Sequence, residues 1–329
     1  MQCSLVKFCK ILGVAILLYT SFVYSSSKYL FCEPQAAIQT ERALKELYTK
    51  NIPTPLANRI QYLNQLLLNK PYELTALGEG KQGQFDQAPL YRLDAFDCQT
   101  YVETILALAL TDSPQQFKQC IQNIRYAHGK IDYTQRHHFT SPDWNEYNQH
   151  IGLLHDITAT IVDREQRPIA QYAQTTIDPA NWYRHFNLSK IRLCEASSDL
   201  AQKRLHQLQN LGQSQPLKPS RIAYIPIQAV ITKNISSRYI LEQIPNGAII
   251  EIVRPNWDLT QAIGTHLNVS HMGFAIREQG ELYFYNASSL AGKSYKISLV
   301  DYLISMLSQP TIQGINIQIV LPTHLCQHK

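Results

Sequence analysis

The chain has 329 residues, 45% of them hydrophobic and 17% charged, enough apolar material to bury a sizeable core as one large domain or two small ones. Its net charge of +5 includes Lys7 and Lys10. What remains is weakly basic with no clustered Lys/Arg face, which argues against a nucleic-acid partner.

Residues 1–25 read as a signal peptide. Lys7 and Lys10 precede an apolar run from Ile11 to Val23, and Val23-Tyr24-Ser25 offers a small-x-small cleavage site. The run is short for a membrane span, which needs about 20 residues; an uncleaved anchor is the alternative. Tyr29-Leu30-Phe31-Cys32 is a poor lipoprotein box, because large residues precede the cysteine. Export sets the cysteine arithmetic. Cys3 and Cys9 leave with the signal, and Cys32, Cys98, Cys120, Cys194 and Cys326 remain. An odd count in an exported protein flags a free thiol. If Cys98 is that thiol, the other four form two disulfides, and the connectivity stays open.

After Pro34 a helix carries Ile38, Leu44, Leu47 and Tyr48, until Pro53 and Pro55 break it. A second follows, with Leu56, Ile60, Leu63, Leu66 and Leu67 on one face, ending at Lys70-Pro71-Tyr72. The loop from Leu77 to Gly83 resembles a phosphate loop only superficially. The Walker pattern fails, since Thr75 and Gln82 stand where glycine and serine or threonine are needed.

Phe96-Asp97-Cys98-Gln99-Thr100 then opens a third helix. Asp97 is a good N-cap, which puts Cys98 at the first helical position. Tyr101, Val102, Ile105, Leu106 and Ala109 share its face, while Gln99, Thr100, Glu103 and Thr104 fall on others. The positive end of a helix dipole favours thiolate, and such sites bring a cysteine pKa from about 8.5 to roughly 3.5–7.5. The plainer alternative for Cys98 is a small buried hydrophobe or half of a disulfide.

Ser113-Pro114 caps a fourth helix with Phe117, Cys120, Ile121 and Ile124 inward. From Tyr133 to Pro219 the chain turns polar and aromatic, and reads as an ordered loop with a helix near Leu200–Leu211. Its histidines His137, His138, His150 and His155 lie in no metal-ligand spacing, so no metal or cofactor is expected. The C-terminal third is strand-rich, over 221–225, 248–253, 272–276, 282–285 and 315–320, with a turn at Asn246-Gly247. Helices first and antiparallel strands after them give an α+β fold.

A hairpin turn joins the strands around Phe274 and Tyr283. If Glu278 and Gln279 form its two-residue loop, Arg277 faces Gly280 and His271 lies opposite Asn286. Opposed residues share a sheet face and touch. An imidazole oriented by an amide, with a thiol at a helix N-terminus, is the generalised cysteine-hydrolase arrangement.

Phe96 to Thr104, the stretch from Lys70-Pro71-Tyr72 to Gly83, Ser270-His271-Met272-Gly273-Phe274-Ala275 and Tyr285-Asn286-Ala287-Ser288 resemble the NlpC/P60 superfamily of papain-like cell-wall hydrolases. Together with Arg136 to Trp144 and Ile244 to Gly247, they look like its N-acetylmuramoyl-L-alanine amidase branch, long filed as domain of unknown function 1460. The resemblance runs from about Pro53 to Leu321. It implies a papain-like fold, with the nucleophile on a helix packed against an antiparallel sheet that carries the histidine. It implies Cys98 as nucleophile, His271 as general base, Tyr72 as an oxyanion donor and Asp97 in substrate recognition. Many relatives carry histidine where this chain has Asn286. It implies, too, a substrate: the lactyl amide between N-acetylmuramic acid and L-alanine, in anhydro-muropeptides. No obligate protein partner is evident in the sequence.

We therefore expect one catalytic domain over residues 33–329, exported to the periplasm or beyond, with a helical part at 33–70 and an insert at 133–219. The insert carries Arg136, His137, His138, Phe139, Trp144, Trp182 and Tyr183. Aromatic faces suit sugars and cationic tips suit stem-peptide carboxylates, so His137, His138 and Trp144 are expected to line one end of the cleft. A stem-peptide endopeptidase and a non-catalytic murein-binding protein are the alternatives.

Overall fold

A computed structural model describes residues 30–323, apart from 233, together with Cys326. The expected signal peptide lies outside the described residues. In chain order the helices are α1 (Pro34–Tyr48), α2 (Leu56–Leu66), α3 (Cys98–Ala109), α4 (Pro114–Arg125), α5 (Glu146–His150), α6 (Pro179–Arg184), α7 (Ser198–Gln213), α8 (Ile227–Ile231), α9 (Ile235–Glu242), α10 (Thr260–Ile263) and α11 (Leu299–Ser305). The strands are β1 (Leu154–Asp156), β2 (Gln171–Ile177), β3 (Lys218–Pro226), β4 (Ala248–Leu259), β5 (Thr265–Glu278), β6 (Glu281–Ser288), β7 (Lys293–Ser298) and β8 (Gly314–Val320). They form one mixed α+β arrangement around a sheet of order β2-β3-β8-β4-β5-β6-β7, with β1 added beside β8. Every strand pairing is antiparallel.

Alternation along the strands divides the core in two, because successive side chains point to opposite faces. Ile249, Met272, Phe274, Ile276, Tyr285 and Ala287 meet α1 to α4 on one face. Ile250, Ile252, Ala275, Phe284, Ile315 and Ile317 meet α8, α9 and α11 on the other. The helix α3 is central: all side chains from Thr100 to Ala109 are buried, so the expectation of one buried face was too narrow. Its polar Glu103 is accommodated by an ion pair with the buried Arg125, 3.0 Å away.

The segment 133–219 is not a loop. It contains a π turn (Thr140–Asn145), α5, β1, β2, α6 and α7. Its strands escape detection because they are short or wet; in Gln171–Ile177 only Ala173 and Ile177 are buried. The edge strand β7 is masked by Lys293 and Lys296, as charges commonly guard sheet edges. Two disulfides, Cys32–Cys194 and Cys120–Cys326, resolve the open connectivity and leave Cys98 free.

The hairpin loop is shifted from its expected position. Gln279 and Gly280 form it, with φ of 50° and 87°, since the tight turn that matches strand twist needs positive φ at both residues. Arg277 therefore faces Leu282, and the ladder runs to Phe274 opposite Tyr285 and ends there. His271 is not directly across from Asn286. It lies two residues along, on the same face, and the two meet on the diagonal.

Candidate active site

Cys98 begins α3. The Asp97 carboxylate caps that helix, accepting from the Thr100 N–H at 2.8 Å, while Thr100 Oγ1 accepts from the Asp97 N–H at 2.9 Å. A cap of this kind stabilises a helix by about 1 kcal/mol, and here it also fixes where the thiol stands. Tyr72 is held beside it by a bridge to Phe96.

The β5–β6 ladder ends at Phe274 and Tyr285, and the thiol lies near Met272, two residues before Phe274. The backbone amides of Met272, Gln99 and Cys98 itself lie close enough to the sulfur to favour its charged form. His271, the residue before Met272, turns to the opposite face of the sheet. A bulge sets its aim: His271 pairs with Ile252 and Val269 with Val253, so Ser270 is an extra residue. Bulges commonly re-aim side chains in this way. The His271 ring lies 2.9 Å from Asn286 through Nε2 and Oδ1. The Asn286 amide points its nitrogen to the Phe284 carbonyl at 3.5 Å. Its oxygen therefore faces the imidazole, and an oxygen can only accept. So Nε2 carries the proton and Nδ1 is the free base. Gly273 makes this possible, because a Cβ there would stand 2.8 Å from that of Asn286.

The electrostatics depart from expectation. Burial pushes the Cys98 thiol up to about 12, with the Asp97 charge adding to it; the three amides only partly offset this. The helix-terminus argument omitted the low polarisability of the surroundings, which penalises an anion. Burial also lowers the His271 pKa below 6.5, against the Asn286 bond. The resting pair is a neutral thiol and a neutral imidazole. Tyr72 keeps its proton, its pKa raised by burial, with the Asp97 charge and any charge that forms on Cys98 adding to it.

Four of the expected residues thus cluster with Asp97: Cys98, His271, Asn286 and Tyr72. The insert residues do not behave as a group. Trp144 is 0% exposed in the helix-side core, so it presents no face to a sugar. His137 is also buried, tilted on Tyr147 at 4.4 Å, and burial lowers its pKa to about 4. Its backbone nevertheless adjoins the site, accepting from Gln99 Nε2 at 3.3 Å. His138 donates Nε2–H to the Tyr133 carbonyl at 2.7 Å and is held neutral by burial. Arg136 is committed to Asp86 at 3.2 Å. The expected cationic tips are therefore neutral or paired. His138, Phe139 and Trp182 do line a cavity of about 80 Å³ against Leu267, Asn268 and Val269, just before His271.

Sequence reasoning missed Tyr302, which stacks on His271. It missed also the Glu103–Arg125 pair that ties α3 to the glycine-rich loop through the Gly78 and Leu90 carbonyls. No local pattern marks either one. Among the described residues no group of three or more His, Cys, Asp or Glu could hold a metal ion.

Residues 62–312 match the model of the AmiA-like family, described as N-acetylmuramoyl-L-alanine amidase-like. A Legionella pneumophila protein of the DUF1460 family is 45% identical, with 88% of this chain and 96% of that one covered and a TM-score of 0.85. An N-acetylmuramoyl-L-alanine amidase from Bacteroides uniformis shares the fold at 23% identity, covering 79% and 98%, with a TM-score of 0.55. A putative xylanase from Bacteroides fragilis aligns at 25% identity over 78% and 99%, with a TM-score of 0.53. No curated protein matches the chain.

Proposed function

The chain belongs to the AmiA-like, N-acetylmuramoyl-L-alanine amidase-like family, and on that footing we propose that it is an exported cysteine amidase of papain-like NlpC/P60 type. Its substrate is the amide between N-acetylmuramic acid and L-alanine in peptidoglycan fragments. The observation that carries the chemistry is that the capped helix N-terminus bearing Cys98 lies against the Met272 amide, one residue from His271 of the His271–Asn286 pair. Export is supported by the two disulfides, which persist in oxidising compartments.

Because both groups rest neutral, proton transfer accompanies attack. As the Cys98 sulfur bonds the lactyl carbonyl carbon, its proton passes to His271 Nδ1. The oxyanion takes hydrogen bonds from the Cys98 N–H and the Tyr72 hydroxyl. The imidazolium then protonates the alanine nitrogen, the C–N bond breaks, and the lactyl group remains as a thioester. Water, giving its proton to Nδ1, releases the acid and restores the thiol. No metal enters the reaction. Asn286 keeps Nε2–H occupied throughout.

The proposed enzyme prefers short anhydro-muropeptides to polymer, with His138 and Trp182 as a wall of the cleft; their cavity of about 80 Å³ beside Val269 is too small to be the sugar pocket itself. Digestion of defined anhydro-muramyl tripeptide and tetrapeptide, followed by mass, tests the reading. The expected products are the free muramyl acid and a peptide beginning with L-alanine, with slow action on whole sacculi. Fragments cut within the stem peptide would identify an endopeptidase instead, and no products, with a murein-binding signal, a non-catalytic protein.

A further inference from the structure

We propose that Tyr302 is a positioning residue for His271, an assignment that rests on reading His271 as the base. The Tyr302 ring stacks on the imidazole, with centroids 6.1 Å apart and planes 24° from parallel. Phe284 meets the same imidazole edge-on, at 5.8 Å and 79°. The two aromatic rings touch each other at 4.8 Å. Phe284 is fully buried and Tyr302 nearly so. The imidazole therefore stands in a slot with a face wall and an edge wall.

The slot answers a physical need. Asn286 grips the ring at Nε2 alone, and the terminal torsion of a histidine is soft. Turning about it would lose the ring orientation that the proposed proton transfer to Nδ1 needs. A stacked face opposes that turn, since the imidazole would have to push into the phenol. The walls also keep water from the Nε2–Asn286 bond, which is stronger in a low dielectric. Among the described residues, the ionisable groups linked to the ring are Tyr302 of α11, which stacks on it, and, through Tyr302 and Asn286, Cys98 of α3 and Tyr295 of β7. The Tyr302 hydroxyl lies near enough to feel a charge on Cys98, but the stacking does not require it.

The test separates ring from hydroxyl. Tyr302→Leu removes the wall and Tyr302→Phe keeps it. Two readouts are taken: NMR titration of the His271 imidazole, and peptide release from anhydro-muramyl tripeptide. In Tyr302→Leu the imidazole midpoint rises toward the ordinary histidine value, because water replaces the wall. We expect kcat to fall about 10- to 100-fold with KM changed less than about twofold, and the acidic limb of the rate profile to move up with the midpoint. Tyr302→Phe restores both readouts. A residue that only held the helix would reduce activity without moving the midpoint. An unshifted midpoint, or Tyr302→Phe as impaired as Tyr302→Leu, overturns the proposal. Should Tyr302→Leu not fold, Tyr302→Met is read by the same two measurements. The titration needs no substrate. A shifted midpoint in a protein that cuts no muropeptide would therefore sink the amidase reading and leave the positioning role intact.

Discussion

Thr75 gives its backbone N–H to Asp97 Oδ2 at 3.0 Å, the second oxygen of the carboxylate whose Oδ1 caps the Cys98 helix. One side chain thus ties the glycine-rich loop to the turn that carries the thiol. Arg192 closes the link from the other side, donating to the Thr75 carbonyl at 2.7 Å. Two residues on, Cys194 is bonded to Cys32. The N-terminal segment, the loop and the insert all converge on the cap of the candidate nucleophile.

Asp97→Asn tests what that carboxylate does electrically. Asparagine caps helices about as well, so the fold should survive. The charge that adds to burial in raising the thiol is removed, and the Cys98 pKa should drop below about 12. Alkylation of Cys98 by iodoacetamide, followed against pH, reads this directly. An unchanged profile would mean that the Asp97 charge does not reach the sulfur.

Substitutions at the proposed triad should rank by role. Cys98→Ser should abolish turnover with folding intact. His271→Ala should reduce kcat by roughly 10²–10⁴-fold, the usual reach of a general base, and Asn286→Ala by less. The pH sign follows from the neutral resting pair. His271 is a base only when unprotonated, and its pKa lies below 6.5. Activity should therefore rise with pH through a value below 6.5 and hold, since the thiol, at about 12, adds no limb near neutrality. An acidic limb above 6.5 would contradict the lowered pKa of the half-buried imidazole.

Glu251 should make stability fall with pH. Asn145 Nδ2 donates to its Oε2 at 2.9 Å, while Glu251 Oε1 and Asn145 Oδ1 have no hydrogen-bond partner among the described residues. A proton on Oε1 would complete an acid–amide pair. Burial, with the Asp156 charge, raises the Glu251 pKa from 4.5 to about 8. The folded chain therefore holds a proton that the unfolded chain loses above 4.5. Stability is full below that value and declines as pH rises to about 8. Glu251→Gln keeps an oxygen for Asn145 Nδ2 and supplies N–H donors without needing a proton. At pH 9 it should be more stable than wild type by on the order of 1–3 kcal/mol, the usual cost of an unpaired buried polar group, and about equal at pH 4. Parallel urea-denaturation curves at both pH values would remove Glu251 as the cause.

One thiol should titrate in a chain beginning at Ser26, secreted and denatured without reductant. Reduction should expose five. Five before reduction would mean that neither Cys32–Cys194 nor Cys120–Cys326 forms in solution; none would put Cys98 in a bridge.

By itself the sequence determined what is local. Asp97 and Thr100 lie three residues apart, so their capping exchange is written in the chain, and with it the position of Cys98. Alternation of apolar residues gave five of the eight strands, and cysteine parity gave the free thiol. Strands β1, β2 and β7 were not legible, because short or wet edge strands lack the apolar alternation that marks buried ones. Trp144 shows the limit for single residues: an indole in a polar stretch reads as a surface aromatic until the fold packs it into the helix-side core and leaves it 0% exposed.

Only the tertiary structure decided the rest. The hairpin register depends on which two residues accept positive φ, and a two-residue slip preserves the face while changing who stands opposite whom. His271 and Asn286 therefore meet as expected, but diagonally and across a glycine. The charge state of the site reversed for a similar reason. A helix N-terminus acts within one turn and can be read from a motif, whereas desolvation sums over everything packed around the sulfur. Tyr302, brought to His271 from a distant helix, is invisible in the chain because stacking depends on where α11 docks, not on any spacing the sequence contains.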